Sequence, residues 1–358
     1  MCPWFDSWRH HNKSLLNGKD FFVLIPIFNC YKPNDLIQIS EVISFNSLEN
    51  YLTSKSWIKK EEPITKITKS GEGNMNVVLR ITTSSRSIII KQSRPFVQKY
   101  QNIPAPIERI VVENSFYEAL GSETVKENIP TIIGFDAESY ILAMEDLGDC
   151  DDMSFIYHER TINTEHFKKL ITIIHQIHNT ATQNDFPANM KMRELNHQHI
   201  FVLPFLTDNG FSLDDIQIGL QELSMPFKEN EDLKKQVALI GEKYLSKGNT
   251  LLHGDYYPGS WMSKNDHLYI IDPEFGFIGF PEFDLGVMAA HLIMATNNTS
   301  YIEKIEKTYP SVLDSKLLKK ITGIEIMRRL IGLAQLPLSR TLVEKEQLLL
   351  MSKNMILS

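Results

Sequence analysis

Cysteine is scarce. Cys2, Cys30 and Cys150 are the three in 358 residues, an odd number without metal-ligand spacing, which argues against a disulfide framework and suits a reducing compartment. Long apolar runs are missing as well: FFVLIPIF, residues 21–28, contains Pro26 and is too short to cross a bilayer. His10, His11, Lys13 and Lys19 precede that run without a small-residue cleavage site after it, so it does not read as a secretion signal, and the expected location is cytoplasmic. A basic excess is also absent. With 37 Lys and Arg against 44 Asp and Glu, a formal net charge of −7 and a pI near 5.9, the chain has no general attraction to nucleic acid or anionic membrane. A small-molecule partner is the simpler expectation. Repeats and low-complexity tracts are lacking.

What is present is a 42% apolar chain long enough to bury a substantial core and to form two lobes. Its most informative stretch is LLHGDYYPGSWMSKNDHLYIIDPEFGFIGFPEFDLG, residues 251–286. Asp255 follows the apolar pair Leu251-Leu252 through His253-Gly254 and is therefore presented at the end of a buried element, which suits a base that orients a hydroxyl. Asn265-Asp266 marks a turn, and the strand 267–271 delivers Asp272 and Glu274. Carboxylates at i and i+2 can both reach one Mg²⁺. Taken singly, His-Gly-Asp is also a plain turn and Asp-Pro-Glu a plain strand end. Together and in this order they match what phosphoryl transfer needs: charge neutralised by metal, and an acceptor hydroxyl held in line by a carboxylate.

HGDYYPGS followed by DPEFGFIGFPEFDLG resembles the catalytic and metal loops of the aminoglycoside phosphotransferase and choline kinase superfamily, most closely its 5-methylthioribose kinase family. The resemblance implies a metal role for Asp272 and Glu274 through an Asp-x-Glu motif. It puts Ser260 where many relatives place a metal-binding Asn, and it gives Asp284 the task of bracing the catalytic loop. Tyr256, Tyr257 and Pro258 depart from the usual residues of that loop, beside the acceptor. GEGNMNVVLRI and IIIKQ resemble the first lobe of the same family. GIEIMRRLIGLAQ resembles its late helix, in which paired arginines, here Arg328 and Arg329, face the substrate and the transferred phosphate. Successive helix positions lie about 100° apart, so one of the two is expected to point inward unless the helix end is open.

Residues 47–57 form a short amphipathic helix, then strands 64–68, 76–82 and 87–92 follow. Gly71 and Gly73, with Asn74, form a turn whose backbone N–H groups can close over phosphates, although a bare hairpin turn is the commoner meaning of Gly-x-Gly. Lys91 at a strand end pairs with those phosphates, and Glu113 in the helix 109–120 holds Lys91 as the Lys–Glu pair of kinase-like folds does. Strand 140–144 runs into Glu145 and Leu147, which by analogy with kinase-like folds offer adenine-binding groups between the lobes. Helices are expected at 163–178, 213–223, 231–246, 285–295, 301–309 and 313–334. His175 and His178 are read as core histidines, since no third ligand follows at metal-site spacing. His197 and His199 either line the acceptor pocket or connect helices.

The implied fold is α+β, a two-lobed protein-kinase-like fold with a small antiparallel-sheet N-lobe and a larger, mostly helical C-lobe. Residues 1–44 are an N-terminal extension without a counterpart in the resemblance, 45–148 the nucleotide-binding N-lobe, and 149–358 the catalytic and substrate-binding C-lobe. The functional expectation is an ATP- and Mg²⁺-dependent kinase acting on a hydroxyl of a sugar-like acceptor, with methylthioribose favoured. The alternatives are an aminoglycoside, amino-alcohol or other natural-product O-phosphotransferase, and a nucleotide-binding pseudokinase. A homodimer is compatible with the sequence and not required by it.

Overall fold

The computed structural model describes residues 37–71, 75–121, 124–181, 186–336 and 338–358. Strands β1 (Ile64–Lys69), β2 (Val77–Thr83) and β3 (Ser87–Gln92) form a meander, followed by the small hairpin β4 (Phe96–Val97) and β5 (Tyr100–Pro104), then β6 (Ile132–Asp136) and β7 (Ile141–Glu145). The main sheet has the order β1-β2-β3-β7-β6 and every pairing in it is antiparallel. β-Branched residues dominate the central strand β3, Ser87-Ile88-Ile89-Ile90-Lys91-Gln92, as a half-buried pleated surface requires. Thr83 closes the β2–β3 turn by accepting N–H bonds from Ser85 and Arg86 at 3.3 and 3.1 Å.

One face of the sheet, with Leu79, Ile81, Ile88, Ile90, Ile141 and Ala143, packs against Leu48 and Leu52 of helix α1 (Phe45–Ser54) and against Trp57. Each buried Leu contributes about 2 kcal/mol. Ile39 is part of the same cluster. Gln92 clamps this segment by accepting the Ile39 N–H and donating to the Ile37 carbonyl, both at 2.9 Å. Packing of the N-lobe thus already includes residues 37–44, which the sequence reading had assigned to the extension. Their Ile37–Ile39–Ile43 spacing is too short to register as a periodic element. The opposite face receives helix α2 (Arg109–Leu120), whose Ile110, Phe116 and Leu120 share a cluster with Leu142 and Met144.

The C-lobe is built from α3 (Thr164–His178), α4 (Met190–His197), α5 (Leu220–Lys228), α6 (Glu231–Leu245), α7 (Pro281–Thr296), α8 (Tyr301–Thr308), α9 (Ser315–Ile331) and α10 (Leu342–Leu357). Asn163 caps α3 through the Glu165 and His166 N–H groups, and Asp314 caps α9 in the same way. α7 is buried from Glu282 through Ala295, and α9 packs between it and α10. The helix expected at 213–223 is instead a 3₁₀ turn, Leu213–Asp215, followed by α5. Gly219, at φ +89°, breaks the path, and the Asp214 carboxylate takes the N–H groups of Gly219 and Gln221. α10, closed by a Thr341/Glu344 capping box, was not anticipated.

The short strands β8 (Asp151–Asp152), β9 (Thr250–Leu252), β10 (Trp261–Lys264), β11 (His267–Ile270) and β12 (Phe277–Gly279) carry the loops between the lobes. The hairpin β10–β11 turns at Asn265 and Asp266, both at positive φ, and β9 pairs with β12. Among the described residues no helix is long and apolar enough to cross a membrane.

Candidate active site

The pairing of β9 with β12 sets two loops side by side: His253-Gly254-Asp255 leaves β9, and Asp272-Pro273-Glu274 leads into β12. Gly254 makes the close approach. It adopts φ +83°, and a Cβ there would overlap the Phe275 carbonyl. His253 ties the loops further, with Nε2 at 2.9 Å from the Ile271 carbonyl and Nδ1 at 3.3 Å from the Asp255 N–H. Those partners place the ring proton on Nε2. Asp284, near the start of α7, accepts the His253 and Gly254 N–H groups at 2.8 and 2.9 Å. His178 Nε2 lies 3.1 Å from the same carboxylate, and its Nδ1 lies 2.9 Å from the Tyr309 hydroxyl. His178 therefore has a structural partner on each ring nitrogen.

Asp255 is mostly buried. Burial raises its carboxyl pKa, and the Arg329 and Arg328 charges offset that only in part. Arg329 Nη2 stands 3.5 Å from Asp255 Oδ1. Ser260 donates its hydroxyl to the Asp255 carbonyl at 3.0 Å, which commits its proton and leaves the oxygen lone pairs. Tyr257 lies under the Arg329 guanidinium, 5.2 Å from ring centroid to cation, a cation–π arrangement.

In the second loop, Asp272 sits at φ +62° and its side chain is half exposed, while that of Glu274 is buried. Lys91 Nζ is 2.7 Å from Glu113 Oε2 and 2.6 Å from Asp272 Oδ1. Burial alone would lower the Lys91 pKa, but Asp272 and Glu113 outweigh it and push it up. Glu274 accepts from Asn76 Nδ2 at 2.8 Å and lies 3.3 Å from Arg109 Nε. Among the described residues no group of three or more His, Cys, Asp or Glu converges on a metal position. Two acids on one turn nonetheless suit a hard cation that takes its other oxygens from phosphate and water. Gly71, at φ +68°, is the last described residue before the glycine turn. Gly73 and Asn74 lie outside the described residues. Glu145 is exposed and pairs with Thr131, donating its N–H at 2.8 Å, and the Leu147 carbonyl accepts from Lys264 at 2.7 Å.

Arg328 and Arg329 are both buried, the outcome left open for a pair at an open helix end. They converge on Glu325. Arg328 Nη1 reaches its two oxygens at 3.1 and 2.9 Å, and Arg329 Nε reaches Oε1 at 2.6 Å. Positions i+3 and i+4 from one carboxylate share a helix face, and α9 ends at Ile331, so the last turn is open. Burial would raise the Glu325 pKa, but the two guanidinium groups hold it well below the usual carboxylate range. His291 Nε2 lies 3.2 Å from Glu325, and its Nδ1 lies 2.5 Å from the Tyr157 hydroxyl. Burial pushes the His291 pKa down to about 4. His199, in the π-helical turn Gln198–Val202, is also pushed down to about 4, by burial and then by the Arg328 charge. The His197 ring lies tilted against Phe201, with centroids 5.3 Å apart.

Sequence reasoning did not find Asn76, Glu325 or His291, and it noted Arg109 only for its spacing to Glu113, as part of the first-lobe resemblance. Glu325 had a signal, since helical spacing places it beside both arginines. Asn76 and His291 had none, because their partners are distant in the chain.

Two antiparallel-sheet and helical lobes with paired acidic loops between them define a phosphotransferase-type architecture. Residues 66–313 match the phosphotransferase enzyme family (APH), and the chain belongs to that family. It is 27% identical over 250 residues to a methylthioribose kinase from Exiguobacterium sibiricum, covering 65% of this chain and 62% of that one. It is likewise 27% identical over 240 residues to a methylthioribose kinase from Bacillus cereus strain B4264, covering 63% and 59%. The chain thus spans about six-tenths of the length of these curated relatives. Among solved structures it resembles LicA in complex with AMP (TM-score 0.50, 15% identity, 87% of this chain and 98% of that one). A spectinomycin phosphotransferase with ADP and spectinomycin gives a TM-score of 0.50 at 16% identity, covering 88% and 98%. A microcompartment-associated aminopropanol kinase gives 0.51 at 12%, covering 86% and 95%. At these identities the likeness establishes the fold.

Proposed function

We propose that the protein is an ATP- and Mg²⁺-dependent kinase that transfers the γ-phosphoryl group to a hydroxyl of a sugar-like acceptor, methylthioribose being the favoured one. The observation that carries this reading is the approach of Arg329 to Asp255 at 3.5 Å beside a second loop that presents Asp272 to Lys91 at 2.6 Å. Asp255 accepts the acceptor's proton and aligns its oxygen, and Arg329 meets the charge that gathers on the transferred group. Lys91, held by Glu113, binds the nucleotide phosphates, and the N–H groups of the turn at Gly71, Gly73 and Asn74 close over them. Glu145 and Leu147 border the adenine. Asp272 and Glu274, with Ser260 nearby, hold the magnesium ion, which when bound neutralises phosphate charge. The matched relatives and the Arg328–Arg329 pair favour a sugar-like acceptor.

A second reading has its own observation. Asp151, Asp152 and Glu159 line a recess with Phe155, and the charge of Asp152 reaches Tyr257. That acidity favours a cationic aminoglycoside or amino alcohol. A phosphate-transfer screen with ATP and Mg²⁺ against methylthioribose, other sugars, amino alcohols and aminoglycosides decides between them. Turnover of methylthioribose supports the first reading and turnover of a cationic acceptor the second. No turnover with any class, alongside intact nucleotide binding, would leave a regulatory nucleotide-binding module.

A further inference from the structure

The two acids of the metal loop are held differently. The Asp272 side chain is 51% exposed and that of Glu274 7%. Glu274 Oε2 accepts from Asn76 Nδ2 at 2.8 Å. Asn76 Oδ1 accepts from Arg109 Nε at 2.9 Å and from Ser93 Oγ at 3.0 Å. Those donors fix the amide, oxygen toward Arg109 and Ser93 and nitrogen toward the carboxylate, because the reverse orientation would set donors against donors. The remaining Arg109 nitrogens donate to the carbonyls of Met75 at 2.7 Å, Arg94 at 2.9 Å and Pro106 at 2.7 Å. Arg109, Ser93 and Asn76 are all buried. A buried polar set in which each member has its partner rigidifies its surroundings.

The set joins three pieces of the machinery: the exit of the glycine turn at residues 75–76, the start of α2, and the second acid of the metal loop, 198 positions from Asn76. A carboxylate engaged through Oε2 keeps Oε1 for another ligand. We propose that Asn76 is a positioning residue which, backed by Ser93 and Arg109, fixes Glu274 by one oxygen so that the other is presented to the divalent cation. The clasp sets how strongly the cation strengthens nucleotide binding. This rests on the kinase reading above, since it needs Glu274 to be a metal ligand.

The test is calorimetric titration of the full-length chain with ADP, in Mg²⁺ and in EDTA, for the wild type, Asn76→Ala and Ser93→Ala. The ratio of the two affinities measures the cation's contribution without any turnover. Outer-shell partners of a metal ligand are worth about 10–100-fold in metal affinity. Asn76→Ala should therefore lower the ratio about tenfold while the affinity in EDTA stays within about twofold, and Ser93→Ala should lower it by a smaller factor. If Asn76→Ala does not fold, Ser93→Ala carries the test alone. An unchanged ratio in the folded variants overturns the clasp. A parallel loss with and without Mg²⁺ also overturns it, because that is the mark of a turn scaffold. A wild-type ratio of one would instead remove the metal reading on which the clasp depends.

Discussion

Lys91 Nζ and Asp272 Oδ1 stand 2.6 Å apart across 181 positions of chain, so the ammonium proposed to bind phosphate is joined to a carboxylate proposed to bind metal. Nucleotide phosphates must therefore share or displace that contact. ATP without a cation brings negative charge toward Asp272, whereas Mg²⁺ turns the repulsion into a bridge. ATP with Mg²⁺ should raise the melting temperature more than ATP with EDTA; a ligand at a hundred times its Kd adds about 2.7 kcal/mol. Asp272→Asn should remove the Mg²⁺ increment and strengthen the metal-free shift, because it leaves Lys91 with Glu113 as its one remaining carboxylate of the two and deletes the repelling charge. Equal wild-type shifts with and without Mg²⁺ would detach the metal role from this acid.

Asp255→Asn separates catalysis from stability. Turnover should fall by about two to four orders of magnitude, with ADP affinity unchanged. Burial raises the folded-state pKa of Asp255 above its ordinary 3.8. The folded chain thus binds that proton more tightly than the unfolded chain, and stability from this group declines as pH rises from 3.8 through the raised value. At pH 7 the whole cost is present and Asn removes it. Melting of the variant at pH 7 should match or exceed the wild type, and near-normal turnover would end the assignment.

The contiguous motifs were legible because each packs its chemistry into a few neighbouring residues. His253-Gly254-Asp255 and Asp272-Pro273-Glu274 declare a strand end, a turn and an acid in three letters each. Lys91 and Glu113 were readable as a strand-end cation followed by a helix with an acid on it, and the two stand 2.7 Å apart. What was not legible is long-range. The partners Asn76 and Glu274 are 198 positions apart, and His291 and Glu325 are 34 apart on different helices. No local periodicity encodes such meetings. The break at Gly219 shows the opposite failure, in which an apolar pattern suggested one helix and a single positive φ, stabilised by Asp214, made two.

The buried contact of His291 with Glu325, at 3.2 Å, should make the C-lobe sensitive to acid. The His291 pKa is pushed down to about 4 in the fold from 6.5, so the unfolded chain takes that proton first. Stability should fall as pH drops from about 6.5 to about 4, by an amount on the order of 3 kcal/mol. Glu325, held low by Arg328 and Arg329, adds a further loss below about 4.5, as the unfolded carboxyl protonates before the folded one. Urea unfolding across this range should show the midpoint declining, with a shallower slope in His291→Gln. An unchanged slope in that variant would show that His291 does not control it.

Arg328 and Arg329 share Glu325, yet their outer ends differ. Arg329 reaches to within 3.5 Å of Asp255 and covers Tyr257, whereas Arg328 grips both Glu325 oxygens. A cation beside the proposed base Asp255 would stabilise charge that develops in the transition state, and the flat guanidinium fork cannot be reproduced by lysine. Arg329→Lys should therefore lower kcat about a hundredfold, as loss of one preorganised donor does. Arg328→Lys should leave kcat within about threefold and raise the KM for the acceptor, because Arg328 is committed to Glu325 and offers the site its charge without a contact to Asp255. Loss of binding without loss of rate is the signature of an interaction equal in ground and transition states. ADP affinity should hold in both variants. Steady-state kinetics on the acceptor that the transfer screen identifies, with calorimetric ADP titration, makes the comparison. If both variants behave like wild type, the pair does not touch the reacting groups. The charge argument for a sugar-like acceptor over a cationic one would then fall, leaving the acidic recess of Asp151, Asp152 and Glu159 as the stronger guide to the substrate.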